Sequence, residues 1–201
     1  MDKKCQFLFD FGSPNAYLAH TQIAGIEQRT GQTIEYLPVL LGGVFKLTNN
    51  QSPMQAFGHI ENKMRFMGIE TERFLKKHRV PFASNPHFPV NTLQIMRGAV
   101  FAKNQVYFEK YVDVVFRAMW VNQLKMDDPD VIRDVLEKAK LDADQIFAGM
   151  QDPAIKQQLI ENTNHSVSRG VFGSPSFFVG DEMFFGKDQL RDFEEEIINE
   201  C

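Results

Sequence analysis

The segment Ser13-Pro14-Asn15-Ala16 is placed to do chemistry: it closes an aromatic run and opens a helical pattern. Ser13 therefore reads as a helix N-cap with Pro14 at the first helical position. Exposed N–H groups and the positive end of the helix dipole favour an anion at such a point. A thiolate held there has a lowered pKa and is nucleophilic near neutral pH. An ordinary capping serine satisfies the same pattern. Far along the chain, Val171-Phe172-Gly173-Ser174-Pro175-Ser176 precedes a hairpin signal. A proline leading a strand out of a tight turn is a candidate cis peptide, with an ordinary trans turn as the alternative. If Ser174-Pro175 is cis, residues 171–174 offer backbone N–H and C=O groups to an extended peptide ligand.

The elements that position these residues follow from periodicity. Residues 5–11, rich in aromatics, read as a buried strand; Ala16, Ala19, Ile23 and Ile26 then recur at helical spacing up to a stop at Gly31. Residues 33–39 form a second strand, giving a βαβ unit with a right-handed crossover and parallel strands. Between about residues 45 and 165 the periodic stretches are helical, over 53–67, 70–78, 91–104, 107–122 and 129–138, and Asp152-Pro153 starts another helix. Ser176-Phe177-Phe178-Val179, a Gly180-Asp181 turn and Glu182-Met183-Phe184-Phe185 make a hairpin, and a last amphipathic helix carries Leu190, Phe193 and Ile197 on one face.

Composition narrows the function classes. The 201 residues are 43% hydrophobic and 24% charged with a net charge of -4, which argues against a nucleic-acid or anionic-membrane surface. The 19 Phe are scattered, as an aromatic-rich core requires, and an aromatic substrate pocket draws on only a few of them. The start of the chain reads as neither signal peptide nor membrane span, so an intracellular, cytoplasmic protein is expected. Cys5 and Cys201 lie at opposite ends outside any CxxC, and the five histidines show no HxxxH or HExxH spacing, so neither a disulfide framework nor a metal site is expected.

Residues 7–19, FLFDFGSPNAYLA, and residues 170–190, GVFGSPSFFVGDEMFFGKDQL, together resemble the two ends of 2-hydroxychromene-2-carboxylate isomerases and kappa-class glutathione transferases, within the wider DsbA-like thioredoxin group. The resemblance implies an α/β thioredoxin-like fold interrupted by a large all-helical insertion. Residues 1–44 and 166–201 would form a discontinuous thioredoxin-like domain, and 45–165 the helical domain. It implies glutathione as cofactor and a homodimer as the working assembly. Serine stands where redox relatives carry the first cysteine of CxxC, so disulfide exchange is excluded at Ser13.

By the same resemblance, Ser13 hydrogen-bonds the glutathione sulfur and favours thiolate over thiol. Val171, Phe172, Gly173, Ser174 and Pro175 would hold the glutathione backbone, with Gly186, Lys187 and Asp188 at its γ-glutamyl end. There Asp188 suits the α-ammonium group and Lys187 the carboxylate, while a capping role for Asp188 is the alternative. Lys46 and either Asn49 or Asn50 would face the substrate, with Lys63 and Asn91 as further positions along the cleft. The implied reaction is glutathione-dependent isomerisation of 2-hydroxychromene-2-carboxylate or a similar aromatic-derived compound. A kappa-like transferase or peroxidase that consumes glutathione is the first rival, and a non-catalytic thioredoxin-like binding module the second.

Overall fold

A computed structural model of the chain describes residues 4–200; Cys201 lies outside them. The elements run β1 (Cys5–Phe9), α1 (Pro14–Thr30), β2 (Ile34–Pro38), α2 (Leu41–Thr48), α3 (Pro53–Phe57), α4 (Glu61–His78), α5 (Leu93–Ala102), α6 (Phe108–Trp120), α7 (Pro129–Lys138), α8 (Ala143–Gln151), α9 (Pro153–Ser168), β3 (Ser176–Val179), β4 (Glu182–Phe185), a 3-10 turn (Lys187–Gln189) and α10 (Leu190–Glu200). One sheet has the order β2-β1-β3-β4. Its β1 and β2 are parallel, from Cys5 opposite Ile34 to Phe9 opposite Pro38, while β3 runs antiparallel to both β1 and β4.

Because β1 is central and covered on both faces, it reads as a near-continuous apolar run. Phe7 and Phe9 point into the larger core, where Phe7 stacks on Phe177 at 5.3 Å and Phe9 meets Phe116 at 5.7 Å. Leu8 points the other way, into a smaller cluster with Val39, Val44, Val171 and Phe178. Phe7, Phe9, Phe11, Phe116, Phe177, Phe178 and Phe193 are fully buried, each contributing about 2 kcal/mol of burial.

Local chemistry accounts for most boundaries. Gly31 ends α1 in the left-handed region at φ 73°, donating its N–H to the Glu27 carbonyl. Asp152 caps α9 by accepting from the Ala154 N–H, ahead of Pro153. The hairpin strands occupy the residues expected of them. Elsewhere the structure differs from the periodicity. A break falls at residues 58–60 rather than 68–69, so 61–78 is one helix that passes through Gly68, and the short helix before it opens on a capping box between Ser52 and Gln55. Two helices, α2 and α8, were not expected.

Among the helices between β2 and β3, α5 lies close against α6 and α8, and Gly98 sits at their contact. A methyl added there would overlap the Tyr111 hydroxyl and come within 2.7 Å of Met150 Cε. That hydroxyl donates to the Ile95 carbonyl at 2.8 Å in a fully buried position, so it has nowhere to retreat without losing its acceptor. Gly98→Ala is expected to lower stability by about 2 kcal/mol, read as a reduced urea midpoint.

A surface cluster ties β2 to its surroundings: the Glu35 carboxylate accepts from Lys4 Nζ (2.6 Å), Lys103 Nζ (2.6 Å) and Gln6 Nε2 (2.9 Å). Burial raises its pKa, but the bonds from Lys103, Lys4 and Gln6 outweigh burial and bring it from 4.5 to about 2. A carboxyl depressed in the folded state stabilises above its unfolded pKa and loses that contribution as pH falls. Wild type is therefore expected to exceed Glu35→Gln by about 1 kcal/mol near neutral pH, after discounting for solvent screening. Parallel urea titrations should show the gap closing between pH 4.5 and about 2.

Candidate active site

Ser13 ends the β1–α1 connection with extended backbone (φ -96°, ψ 114°), and its Oγ accepts the Ala16 N–H at 3.1 Å. The same hydroxyl donates to the Ser174 carbonyl at 2.8 Å, across 161 residues of chain. The Ser174-Pro175 peptide is cis. A second bond joins the two segments, from the Asp10 N–H to Ser174 Oγ at 3.1 Å. The helix N-terminus and the proline turn thus meet face to face. The Ser174 N–H has no acceptor among the described residues.

No histidine or carboxylate hydrogen-bonds the Ser13 hydroxyl among the described residues; its proton points at a carbonyl oxygen, which is not a base. The hydroxyl is thus equipped to donate a hydrogen bond beside a helix N-terminus, and not to attack as an alkoxide. Cys5 is buried at the start of β1, the end of that strand away from Ser13.

Beneath the junction lies Asp10, a residue the sequence reading passed over. It is fully buried, accepts the Gly12 N–H at 2.8 Å and the Leu41 N–H at 2.7 Å, and is hydrogen-bonded by the Thr92 side chain. Burial raises its pKa, against the lowering effect of these bonds. One carboxylate therefore ties the Ser13 turn to the starts of α2 and α5. The available signal was a charged residue inside an aromatic strand pattern, since such a group is rarely buried without partners that need it.

The remaining expected positions divide. Asn50 Nδ2 donates to the Phe172 carbonyl at 2.9 Å, joining the end of α2 to the proline turn. Asn49 is the left-handed C-cap of α2 at φ 53°, and Lys46 lies exposed on that helix. Half-exposed Phe172 and Phe185 pack together at 4.4 Å beside Gly173, where a Cβ would meet the Phe185 ring at 2.7 Å. Lys63 is apart from these, its ammonium over the Phe57 ring at 3.2 Å. Asn91 is exposed at the start of α5, where its side chain accepts the Leu93 N–H at 3.1 Å.

Gly186 takes φ 86°, a backbone conformation suited to glycine, and leads into Lys187 and Asp188. The Lys187 side chain is 5% exposed, and its ammonium pairs with Asp188 Oδ1 at 2.5 Å, 5.5 Å from the Phe74 ring. Asp188 itself is open to solvent, so the carboxylate rather than the ammonium is presented outward, and it takes Lys187 in place of a helix N–H. Both residues line a cleft of about 580 Å³ between α1, α4 and α10, which Ser13 does not line.

The DsbA-like thioredoxin domain matches residues 4–198 of this chain. A 2-hydroxychromene-2-carboxylate isomerase of Sphingobium xenophagum is 30% identical, covering 99% of this chain and 100% of its own. Glutathione S-transferase kappa 1 of Caenorhabditis elegans is 26% identical over 94% of this chain and 88% of its own. A solved 2-hydroxychromene-2-carboxylate isomerase superposes with a TM-score of 0.83 at 27% identity, covering 96% of this chain and 93% of that one. No described helix is long and apolar enough to cross a membrane. The fold and the end-to-end relatives agree: the chain is an enzyme of the isomerase and transferase kind, and belongs to the DsbA-like family of 2-hydroxychromene-2-carboxylate isomerases and kappa-class glutathione transferases.

Proposed function

We propose that the enzyme uses glutathione as a recycled cofactor to isomerise 2-hydroxychromene-2-carboxylate, or a similar aromatic-derived compound with a conjugated double bond. The observation that carries this reading is the Ser13 hydroxyl: it has a proton to give, no base to take it, and it faces the cis-proline turn at 2.8 Å. Glutathione lies extended along Val171, Phe172, Gly173, Ser174 and Pro175, with the unused Ser174 N–H taking one of its carbonyls. Its sulfur sits over the start of α1. The Ser13 hydroxyl turns from the Ser174 carbonyl to the sulfur, and with the helix dipole it favours the thiolate. Asp188, with Lys187 behind it, receives the γ-glutamyl α-ammonium group beyond Gly186.

Opening of the ring hemiketal, with its C–O bond breaking and its hydroxyl proton passing to the released phenolic oxygen, gives a cis enone. The thiolate adds to its double bond, which becomes single, the resulting enolate permits rotation, and elimination restores the double bond in the trans form and the thiolate. Lys46 and Asn49 or Asn50, carried by α2 and its end, orient the substrate carboxylate. Asn50 is the better placed of the two asparagines, because its side chain already reaches Phe172. Lys63 and Asn91 have their own local partners and stand at most at the margin of the cleft.

Incubation with glutathione and 2-hydroxychromene-2-carboxylate, followed by absorbance and then by thiol titration, tests the reading. Many turnovers with the free thiol unchanged are expected. Loss of thiol in step with substrate would make the enzyme a conjugating transferase of the kappa type, the reading favoured by its kappa-class relatives. Absence of any glutathione-dependent change would remove the proposed substrate class.

A further inference from the structure

A second cavity lies between α2, α5 and α9. Its volume is about 120 Å³, and Leu40 and Leu47 of α2, Leu93 of α5, and Leu159 and Ile160 of α9 form its walls. Two cations line it, Arg97 and Lys156, and no carboxylate does among the described residues. Arg97 Nε is buried without a hydrogen-bond partner, and neither its guanidinium nor the Lys156 ammonium is paired within the described chain. The Thr163 hydroxyl at the rim is already committed, accepting from the Leu40 N–H and donating to the Leu159 carbonyl.

The Arg97 side chain is half-buried, and its Nε–H, buried beside these apolar walls without an acceptor, is costly, since a buried polar group left unpaired forfeits about 1–3 kcal/mol. An anion with an apolar body answers both features at once: a carboxylate bidentate on Arg97, with hydrocarbon against the leucines. Inorganic phosphate satisfies the guanidinium alone and leaves the apolar walls wet. Size sets a further limit. An apolar cavity of about 150 Å³ accommodates benzene, so this one takes a single ring or a short alkyl chain. A fused two-ring compound exceeds it, which separates its occupant from the proposed substrate.

We infer that the α2–α5–α9 cavity is a binding site for a small monocarboxylate of one ring or short chain, held by Arg97. The site stands apart from Ser13, which does not line it. Leu40 and Leu93 nevertheless adjoin Leu41 and Thr92, the two residues that Asp10 ties to the β1–α1 turn. The inference is independent of glutathione chemistry.

Calorimetric titration of the full chain with benzoate tests it, with benzamide, inorganic phosphate, Arg97→Gln and Ile160→Trp as the comparisons. Benzoate is expected to bind wild type and to weaken about tenfold or more in Arg97→Gln, as loss of a charge-assisted pair requires. Ile160 is half-exposed, so tryptophan there blocks the mouth without removing a core residue and is expected to abolish binding. Benzamide and phosphate are expected to bind at least about tenfold more weakly than benzoate, and saturating glutathione to leave benzoate affinity unchanged. Failure of benzoate to bind, equal affinity in Arg97→Gln, equal affinity for benzamide, or displacement by glutathione would each overturn the assignment. A protein that takes benzoate but ignores glutathione would leave this site standing while refuting the proposed cofactor.

Discussion

Ser13→Ala is expected to reduce glutathione-dependent turnover about a hundredfold, the usual cost of removing one preorganised donor aimed at a developing or stabilised anion. The variant loses the hydroxyl that the α1 N-terminus presents to the proline turn, where Oγ stands 2.8 Å from the Ser174 carbonyl. It also loses the cap on the Ala16 N–H, worth about 1 kcal/mol. The two losses read out separately. A purely structural role would lower the melting temperature and leave the pH dependence of turnover in place. A role at the sulfur would move the acid limb of the pH profile upward, because the thiolate would then need a higher pH to form.

Asp10→Ala is expected to cost about 3 kcal/mol of unfolding free energy, since the Gly12 and Leu41 N–H groups lose their acceptor inside the protein. Asp10→Asn should recover only part of this. Its single carbonyl oxygen satisfies one N–H, while its amide sets a donor against the other. The pH dependence runs opposite to that of Glu35. Burial raises the Asp10 pKa, so the native state holds its proton to higher pH than the unfolded chain and loses stability as pH rises through the folded value. The gap between wild type and Asp10→Ala should narrow as pH rises through that interval, as checked by urea denaturation over a series of pH values. Because Asp10 holds the start of α2, both variants should also raise KM for the aromatic substrate more than KM for glutathione.

How far these features could be read from the chain depended on the range of the interactions behind them. The Ser13-Pro14 start of α1, the Gly31 stop, the Asp152-Pro153 start of α9 and the β3–β4 hairpin rest on contacts within a few residues, and they were legible. Helix α2 was not. Its Leu41-Gly42-Gly43 opening disfavours a helix, and it has no side-chain cap of its own; the carboxylate that binds its first N–H comes from Asp10, 31 residues earlier. Helix α8 carried a readable signal, the Asp142 cap on the Gln145 N–H, that apolar periodicity alone did not raise.

The candidate site divides the same way. Ser13 and the proline turn were found by their local punctuation, and the resemblance paired them. The Asn50 bond to Phe172, spanning 122 residues, and the burial of Lys187 against Phe74 are products of tertiary packing that no spacing announces. The pairing of Lys187 with its neighbour Asp188 sharpens the expected roles: the carboxylate faces the solvent and the ammonium stands behind it.

The ultraviolet thiolate absorbance of glutathione, titrated against pH in the presence of saturating wild-type enzyme and of Ser13→Ala, tests the central claim most directly. Bound to wild type, the thiol is predicted to ionise well below the ordinary thiol range, and in Ser13→Ala to return toward it. An ordinary thiol pKa on the wild-type enzyme, or one equally depressed in both proteins, would contradict the account of Ser13 as the group that holds the sulfur.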